Sequence, residues 1–366
     1  MKIMASQPGL TMDGCKARVA RLANIVARKN LDAALISGRR YVHMFCGLWT
    51  RGVFRSVLLV RADGHTVVAT AVERASPVFA DEVVVYPAAP LGTLIDDQFA
   101  AATESLTPWL RDLHHLGVDR QIAVPADARL LLADLAPELC SLRRLKFPDE
   151  IEMIQRGIRG CEAGYAVARE LVRPGLTEWD LYVHILTAAT AAVGESIGEL
   201  GNDFQSGTPG GPPRRRPMQV GELLPLDLSV VVRGYSSDLC RTFAVGSRPT
   251  DLQREAHRRV LAALATVERS VSPGVSCSEL YRDIASTLTA GRDWAFPHHL
   301  GHGIGIKAHE APRINPHWND VFQKGDVFTA EPGLYADELR GGVRVERDYL
   351  VTETGVRALC EFPLDL

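Results

Sequence analysis

The stretch PLDLSVVVRGYSSDLCRTF, residues 225–243, is apolar enough to form two buried strands, yet it contains two aspartates. A two-residue Arg-Gly turn in its middle would place Asp227 opposite Cys240 and would join the two strands in a hairpin. Asp227 and Asp238 would then be diagonal neighbours on one face, with Cβ atoms roughly 7–8 Å apart. Because two carboxylates on a buried face repel each other, the hairpin predicts an arginine, a lysine or a metal ion between them.

The composition excludes several classes of protein. With 366 residues, 46% of them apolar and 23% charged, the chain is typical of a soluble protein with two domains. Its net charge of −3 and its lack of any apolar run of about 18 residues argue against nucleic-acid and membrane partners. The N-terminus lacks the apolar segment of a signal peptide. The seven cysteines are odd in number and form no CxxC pair, so we expect reduced thiols and a cytoplasmic protein.

Strands and helices alternate over residues 1–145, which predicts an α/β domain with its own sheet. The segment SVLLVRADGHTVVAT is typical of two strands joined by an Asp-Gly turn. Helical patterns cover residues 97–115 and 126–140. A basic stretch containing Pro148 follows, and a long helix begins there with acidic residues in its first turn, so a second domain is expected.

Residues 150–366 combine helices with antiparallel strands, which predicts an α+β domain. Thr177 is suited to cap a helix, and helical periodicity also covers residues 250–269 and 276–290. The predicted strands of this domain cover residues 223–232, 236–245, 326–331 and 343–352.

Further residues of the types that bind metal ions lie in three other stretches of the sequence. PHHLGHGIGIKAHE places His302 among glycines, GDVFTAEPGLY ends an apolar strand on Glu331, and GGVRVERDYLVTETG carries Glu346 on another strand. Together with the two aspartates they form a donor set of four carboxylates and one imidazole. Such an oxygen-rich set suits two divalent ions, manganese first and cobalt, zinc or iron as alternatives. Paired ions about 3.5–4 Å apart can bridge a water molecule and convert it to hydroxide near neutral pH.

The stretches GYSSDLCRTF, GHGIG…HE, EPGLY and RVE…VTETG resemble the motifs of the creatinase/prolidase-type metallopeptidases. The resemblance covers essentially the whole chain. It implies an α/β N-terminal domain followed by an α+β pita-bread (creatinase/aminopeptidase) domain. It also implies a hydrolase of the Xaa-Pro dipeptidase or aminopeptidase P type, which cleaves an amide bond with a metal-bridging hydroxide. By family analogy the protein would act on small peptides as a homodimer.

The resemblance also implies a ligand set in family order. Asp238 and Glu346 would bridge the two ions, while Asp227 would hold one ion and His302 with Glu331 the other. Glu331 would in addition shuttle protons.

Three further residues match catalytic positions of the family. His298 and His309 match two histidines that hold the substrate carbonyl and the tetrahedral intermediate. Arg344 matches an arginine that braces the metal ligands. The neighbouring His299 is interpreted as a structural or solvent-facing residue.

The chain departs from the family in the segment SGTPGGPPRRRP. The family's peptidases usually carry a histidine there, in a motif such as LPH, whereas this chain has no histidine between His184 and His257. An alternative is therefore a hydrolase or lyase of a small carboxylated non-peptide substrate, similar to ectoine hydrolase. A non-catalytic binding protein on the same fold is an alternative of another class. Arg214, Arg215 and Arg216 either clamp a substrate carboxylate or lie in a solvated loop.

Overall fold

The computed structural model describes residues 9–50, 52–71, 77–119, 130–246 and 248–366. The chain divides into two compact units, the first ending at Arg143 and the second beginning at Arg144. In these described stretches, no helix is long and apolar enough to cross a membrane.

The first unit is built around a six-stranded mixed sheet with the strand order β4-β3-β2-β1-β5-β6. The central strand β1 is fully buried, pairs antiparallel with β2 and pairs parallel with β5. The Asp-Gly turn between β2 and β3 is confirmed, with Gly64 at a φ of 90°. In chain order the elements are α1 Met12–Arg28, β1 Ala33–Ile36, α2 Arg39–Cys46, β2 Ser56–Arg61, β3 Thr66–Thr70, β4 Glu82–Val85, α3 Gln98–Glu104, α4 Thr107–Leu110, β5 His115–Val118, β6 Leu131–Asp134 and α5 Ala136–Leu142.

Two predicted helices of this unit differ from the structure. The helix expected over 97–115 is divided into α3 and the single turn α4, and His115 already begins β5. In the range 126–140, residues 126–129 lie outside the described part, Leu131–Asp134 form β6, and only the end is helical. A short apolar run fits a helix or a strand equally well, and here parallel pairing with β5 decides in favour of the strand.

The second unit combines helices with antiparallel strand ladders. This confirms the prediction that an α/β domain is followed by an α+β domain. Its largest sheet has five strands in the order β12-β11-β13-β16-β17, and β7 pairs with β10. In chain order the elements are α6 Pro148–Leu171, α7 Glu178–Val193, β7 Leu223–Leu228, β8 Val231–Val232, β9 Tyr235–Ser236, β10 Leu239–Ala244, α8 Asp251–Ser270, α9 Cys277–Leu288, β11 Gly301–Gly303, β12 Glu310–Ile314, β13 Val327–Ala330, β14 Gly333–Ala336, β15 Gly341–Arg344, β16 Arg347–Val351 and β17 Val356–Ala358.

The helices of this unit begin at side-chain caps that the sequence shows directly. The Thr177 hydroxyl accepts from the Asp180 backbone N–H at 3.1 Å, as predicted. Thr250 caps α8 and Ser276 caps α9 in the same way. The predicted helices over 250–269 and 276–290 are confirmed within two residues at each end.

The hairpin register predicted from the Arg-Gly turn is confirmed. Cys240 pairs with Asp227, and the turn residues Arg233 and Gly234 have φ values of 46° and 87°. The ladder is interrupted after Leu228, so Asp238 lies just outside β10.

Helix α6 packs closely on this hairpin because glycines line the contact. A Cβ atom on Gly157 would lie 2.6 Å from the Val230 carbonyl oxygen, and one on Gly164 would lie 2.9 Å from the Leu228 side chain. The Cys161 thiol donates to the Leu228 carbonyl oxygen at 3.2 Å. Since larger side chains would push helix and hairpin apart, the glycines fix the backbone that carries the two aspartates.

Candidate metal centre

The five residues that the sequence marks as metal ligands come from neighbouring strand ends. His302 lies on β11 opposite Thr329 of β13, and Glu331 follows directly after β13. Glu346 connects β15 to β16, and its N–H donates to the Cys240 carbonyl oxygen at 3.0 Å. This bond joins the sheet to the hairpin of Asp227 and Asp238, so ladders that are distant in sequence meet at one place.

The structure brings all five residues together. His302 Nε2 lies 3.7 Å from Asp238 Oδ2 and 3.7 Å from Glu331 Oε1. Asp238, His302 and Glu346 each offer a donor atom within 4.8 Å of the other two. Asp227 lies close enough to Asp238 for the two carboxyl groups to influence each other's pKa. All five side chains are buried, with residues no more than 8% exposed.

The carboxylates of this cluster are destabilised as anions. Burial, followed by repulsion from neighbouring carboxylates, holds the pKa of Asp238 and of Glu346 well above the usual range. Burial raises the pKa of Glu331 to about 8. Burial also lowers the pKa of His302 to about 3, so this imidazole is neutral at pH 7 and keeps a free lone pair.

Two carboxylate oxygen atoms of the cluster lack a hydrogen-bond partner among the described residues. Asp227 Oδ1 and Glu346 Oε2 are buried, and neither accepts a hydrogen bond from the described residues. Buried carboxylate oxygens without a partner are costly unless a cation coordinates them. The donor set of oxygens and one imidazole therefore fits divalent metal ions.

Arg344 places a positive charge beside the carboxylates of this cluster. Its Nη2 donates to Asp227 Oδ2 at 2.7 Å and also to Asp203, while its Nη1 donates to the Tyr335 hydroxyl at 3.0 Å. Asp227 is thereby held in one orientation. The sequence analysis missed Asp203, which lies in a loop without a recognisable motif, and Tyr335, although EPGLY contains it.

The histidines around the cluster differ in their contacts. His298 Nε2 lies 3.0 Å from the Tyr335 hydroxyl. The His309 ring stacks on His302 with a centroid distance of 3.8 Å. His299 was interpreted from the sequence as structural or solvent-facing. Its Nε2 lies 2.7 Å from Glu331 Oε1, a contact with a candidate ligand that the sequence analysis did not predict.

Comparison with known protein families shows which family the chain belongs to. A family model described as "Metallopeptidase family M24" matches residues 152–353, more than half of the chain. The chain belongs to metallopeptidase family M24. This confirms the resemblance on which the ligand assignments were made.

Two of the relatives of this M24 chain are named as dipeptidases. The Xaa-Pro dipeptidase of Pyrococcus furiosus is 33% identical over 233 residues, which is 62% of this chain and 65% of the relative. The putative dipeptidase YkvY of Bacillus subtilis is 32% identical over 238 residues, 62% of this chain and 63% of the relative. The matched segment thus spans less than two thirds of either relative.

Solved structures share the fold over nearly the full length. The prolidase from Pyrococcus furiosus has a TM-score of 0.74 at 24% identity and covers 93% of this chain and 100% of its own. The Xaa-Pro dipeptidase from Bacillus anthracis has a TM-score of 0.78 at 22% identity and covers 96% and 99%. These likenesses confirm the predicted pita-bread fold.

The loop in which this M24 chain lacks the expected histidine is organised around a buried glutamate. Arg214 donates to Glu178 through Nε at 2.9 Å and through Nη2 at 2.6 Å. The Glu178 side chain is completely buried at the start of α7. The arginine is therefore committed to a structural ion pair.

The other two arginines of the loop are also engaged. Arg216 donates to both carboxylate oxygens of Glu222, and Arg215 lies over the Trp179 ring with 5.4 Å between guanidinium carbon and ring centroid. The expectation that these arginines clamp a substrate carboxylate is not supported for Arg214 and Arg216, since their donors bind glutamates of the chain. Sequence alone did not show these partners, because Glu178 lies 36 residues from Arg214.

Proposed function

We propose that this M24 chain is a metal-dependent hydrolase that cleaves the amide bond before proline in Xaa-Pro dipeptides or short peptides. The observation that carries the proposal is the convergence of four buried carboxylates and one neutral imidazole on one volume, with two of their oxygens unpartnered. Family membership and relatives named Xaa-Pro dipeptidase support it.

The ions would be held by the residues that the sequence marks. Asp238 and Glu346 would serve both ions, Asp227 one, and His302 with Glu331 the other. When bound, two divalent ions neutralise these carboxylates, polarise the scissile carbonyl and lower the pKa of a water molecule to near 7. Manganese is the first candidate, with cobalt, zinc and iron as alternatives.

The remaining steps belong to side chains of the chain itself. Glu331 would, besides holding an ion, accept a proton during the reaction and pass it to the leaving amine. His298 and His309 would hold the substrate carbonyl and the charge that develops on it. His298 would first have to exchange a contact, because its Nδ1 lies 2.8 Å from the His299 carbonyl oxygen and its Nε2 lies 3.0 Å from the Tyr335 hydroxyl. Arg344 is a positioning residue, because it fixes Asp227 through a hydrogen bond and does not reach substrate in this role.

The test is metal content together with a dipeptide panel. We expect close to two ions per chain and turnover of Ala-Pro, Leu-Pro and Met-Pro, with Ala-Ala and Leu-Ala as matched controls that lack the proline ring. An absence of bound ions at full metal supply, or equal turnover of the two sets, would contradict the proposal.

The assembly and the domain limits stay predictions. We propose a homodimer, and we propose domains at residues 1–145 and 150–366. Light scattering at micromolar concentration checks the dimer, and a species of 40.0 kDa alone would contradict it.

A second candidate is hydrolysis or lysis of a small carboxylated non-peptide substrate. The missing histidine in the loop before Asp227 favours it, since one proton donor of the related peptidases has no counterpart there. Cyclic amidine carboxylates and N-acyl amino acids should be tested beside the dipeptides. Turnover of these compounds without turnover of any Xaa-Pro peptide would favour the second candidate.

A further inference from the structure

His299 lies where a metal ligand would lie, although no family role was assigned to it. It belongs to the segment that leads into β11, three residues before His302. Its Nε2 is 2.7 Å from Glu331 Oε1, and its ring centroid is 5.1 Å from that of His302 and 5.4 Å from that of His309. The side chain thus contacts the half of the centre that contains Glu331 and His302.

The spacing of the donor atoms is that of a coordination shell. Ring nitrogens of His299, His302 and His309 all lie within 4.8 Å of one another. Glu331 Oε1 lies 2.7 Å from His299 Nε2 and 3.7 Å from His302 Nε2. Since zinc–nitrogen bonds are about 2.0–2.1 Å long, donors on one ion lie roughly 3–4 Å apart. The 3.7 Å distance already fits this spacing, and a small side-chain shift that lengthens the 2.7 Å contact would bring His299 Nε2, His302 Nε2 and Glu331 Oε1 to one ion.

We propose that His299 is a metal ligand that adds a second imidazole to the His302–Glu331 half of the centre. This inference rests on the proposed metal centre and concerns its selectivity. The half that contains Asp227 offers carboxylate oxygens, which suit manganese, whereas imidazole nitrogens favour zinc and cobalt. The two halves then differ in chemistry, and the protein prefers zinc or cobalt in one half and manganese in the other.

The competing explanation is that His299 only donates a hydrogen bond to Glu331. Two substitutions separate the explanations. His299→Ser removes both the imidazole and the contact. His299→Gln keeps an N–H donor of similar reach but offers no imidazole nitrogen. His317→Ser is the matched control, because His317 is an exposed histidine outside the cluster.

The experiment loads each metal-free protein with a limiting equimolar mixture of Mn²⁺ and Zn²⁺ and measures the bound ions by mass spectrometry. We expect the Zn/Mn ratio to fall at least about tenfold in both His299 variants and to stay unchanged in His317→Ser. Loading with Co²⁺ adds a second readout, because the loss of a nitrogen ligand changes the visible absorption bands whereas the loss of an outer hydrogen bond leaves them nearly unchanged.

The outcomes are distinct. A wild-type Zn/Mn ratio and Co²⁺ spectrum in His299→Gln would overturn the inference and leave the proposed function intact. Wild-type protein that binds no ions would overturn both. Circular dichroism of the metal-free variants checks folding, and His299→Gln, the closer isostere, decides the result if His299→Ser is unfolded.

Discussion

Two clusters that contain buried carboxylates of the second unit solve the same problem in opposite ways. In the arginine-loop cluster, defined by Glu178, Glu222, Arg214 and Arg216, each glutamate has an arginine of the chain as its partner. In the candidate metal centre, Asp227 is the one of the four carboxylates that forms an ion pair with an arginine of the described residues, Arg344. The fold supplies its own cations in the first cluster and leaves the second short of positive charge.

The pKa values of glutamates in the two clusters reflect this difference in cationic partners. Burial alone would raise the pKa of Glu222, yet hydrogen bonds from Arg216, the Gln219 backbone N–H and Ser206 lower it to about 2. Glu331 has no arginine or lysine ion pair among the described residues, and burial raises its pKa to about 8. The pKa values of two glutamates of one unit are thus shifted in opposite directions, and only the glutamate with the lowered pKa has an arginine partner. A cluster of buried carboxylates that has too few cationic side chains beside it requires an external cation.

The prediction with the largest expected effect tests whether the candidate metal centre binds the ions and the arginine-loop cluster does not. Asp238→Ala should remove most bound ions and lower kcat/KM by more than about 100-fold, because Asp238 is proposed to serve both ions. Glu222→Gln should retain close to two ions per chain. Ion content by mass spectrometry and dipeptide kinetics measure both effects. Equal ion loss in the two variants would remove the distinction between the clusters.

A smaller loss is expected at the edge of the metal centre. His309→Ala should keep its ions and lower kcat about 100-fold, because its proposed contact is with substrate. Its ring also stacks on His302, so ion content must be measured along with turnover. Loss of ions comparable to that in Asp238→Ala would show that the role of His309 lies with the metal.

The third prediction compares the clusters in metal-free protein at pH 8. Glu222→Gln should lower the free energy of unfolding by about 2 kcal/mol, since it replaces charged hydrogen bonds to the partly exposed Arg216 by neutral ones. Asp238→Asn should raise the free energy of unfolding by about 1 kcal/mol, since it removes one of several repelling carboxylates. Urea unfolding in the presence of a chelator measures both values. A change of the same sign in both variants would contradict the comparison.

The smallest effect is a pH dependence of the arginine-loop cluster. The folded pKa of Glu222, about 2, lies below its ordinary value of 4.5, so its contribution is full above 4.5 and is lost as the pH falls toward 2. The stability difference between wild type and Glu222→Gln should therefore be constant from pH 8 to pH 5 and shrink below that. A difference that grows in acid would show that the sign is wrong.

Much of the candidate site could be predicted because its signals are local. The Arg-Gly turn determined the register that pairs Asp227 with Cys240, since a two-residue loop leaves one alignment of the strands. The caps at Thr177 and Thr250 determined where two helices begin. Neighbours in sequence control each of these features, and so the chain alone was sufficient.

Only the tertiary structure decided which distant partners meet. Arg214 could have faced substrate or solvent, and its pairing with Glu178 depends on how the loop packs against the start of α7. His299 and His298 are adjacent, yet the shortest polar contact of the one ring is with Glu331, whereas the other ring also reaches Tyr335. A local pattern determines secondary structure and motif, whereas the partner of a long polar side chain depends on segments that are distant in sequence. Packing of the whole unit was therefore needed to distinguish the balanced cluster from the one that requires a metal.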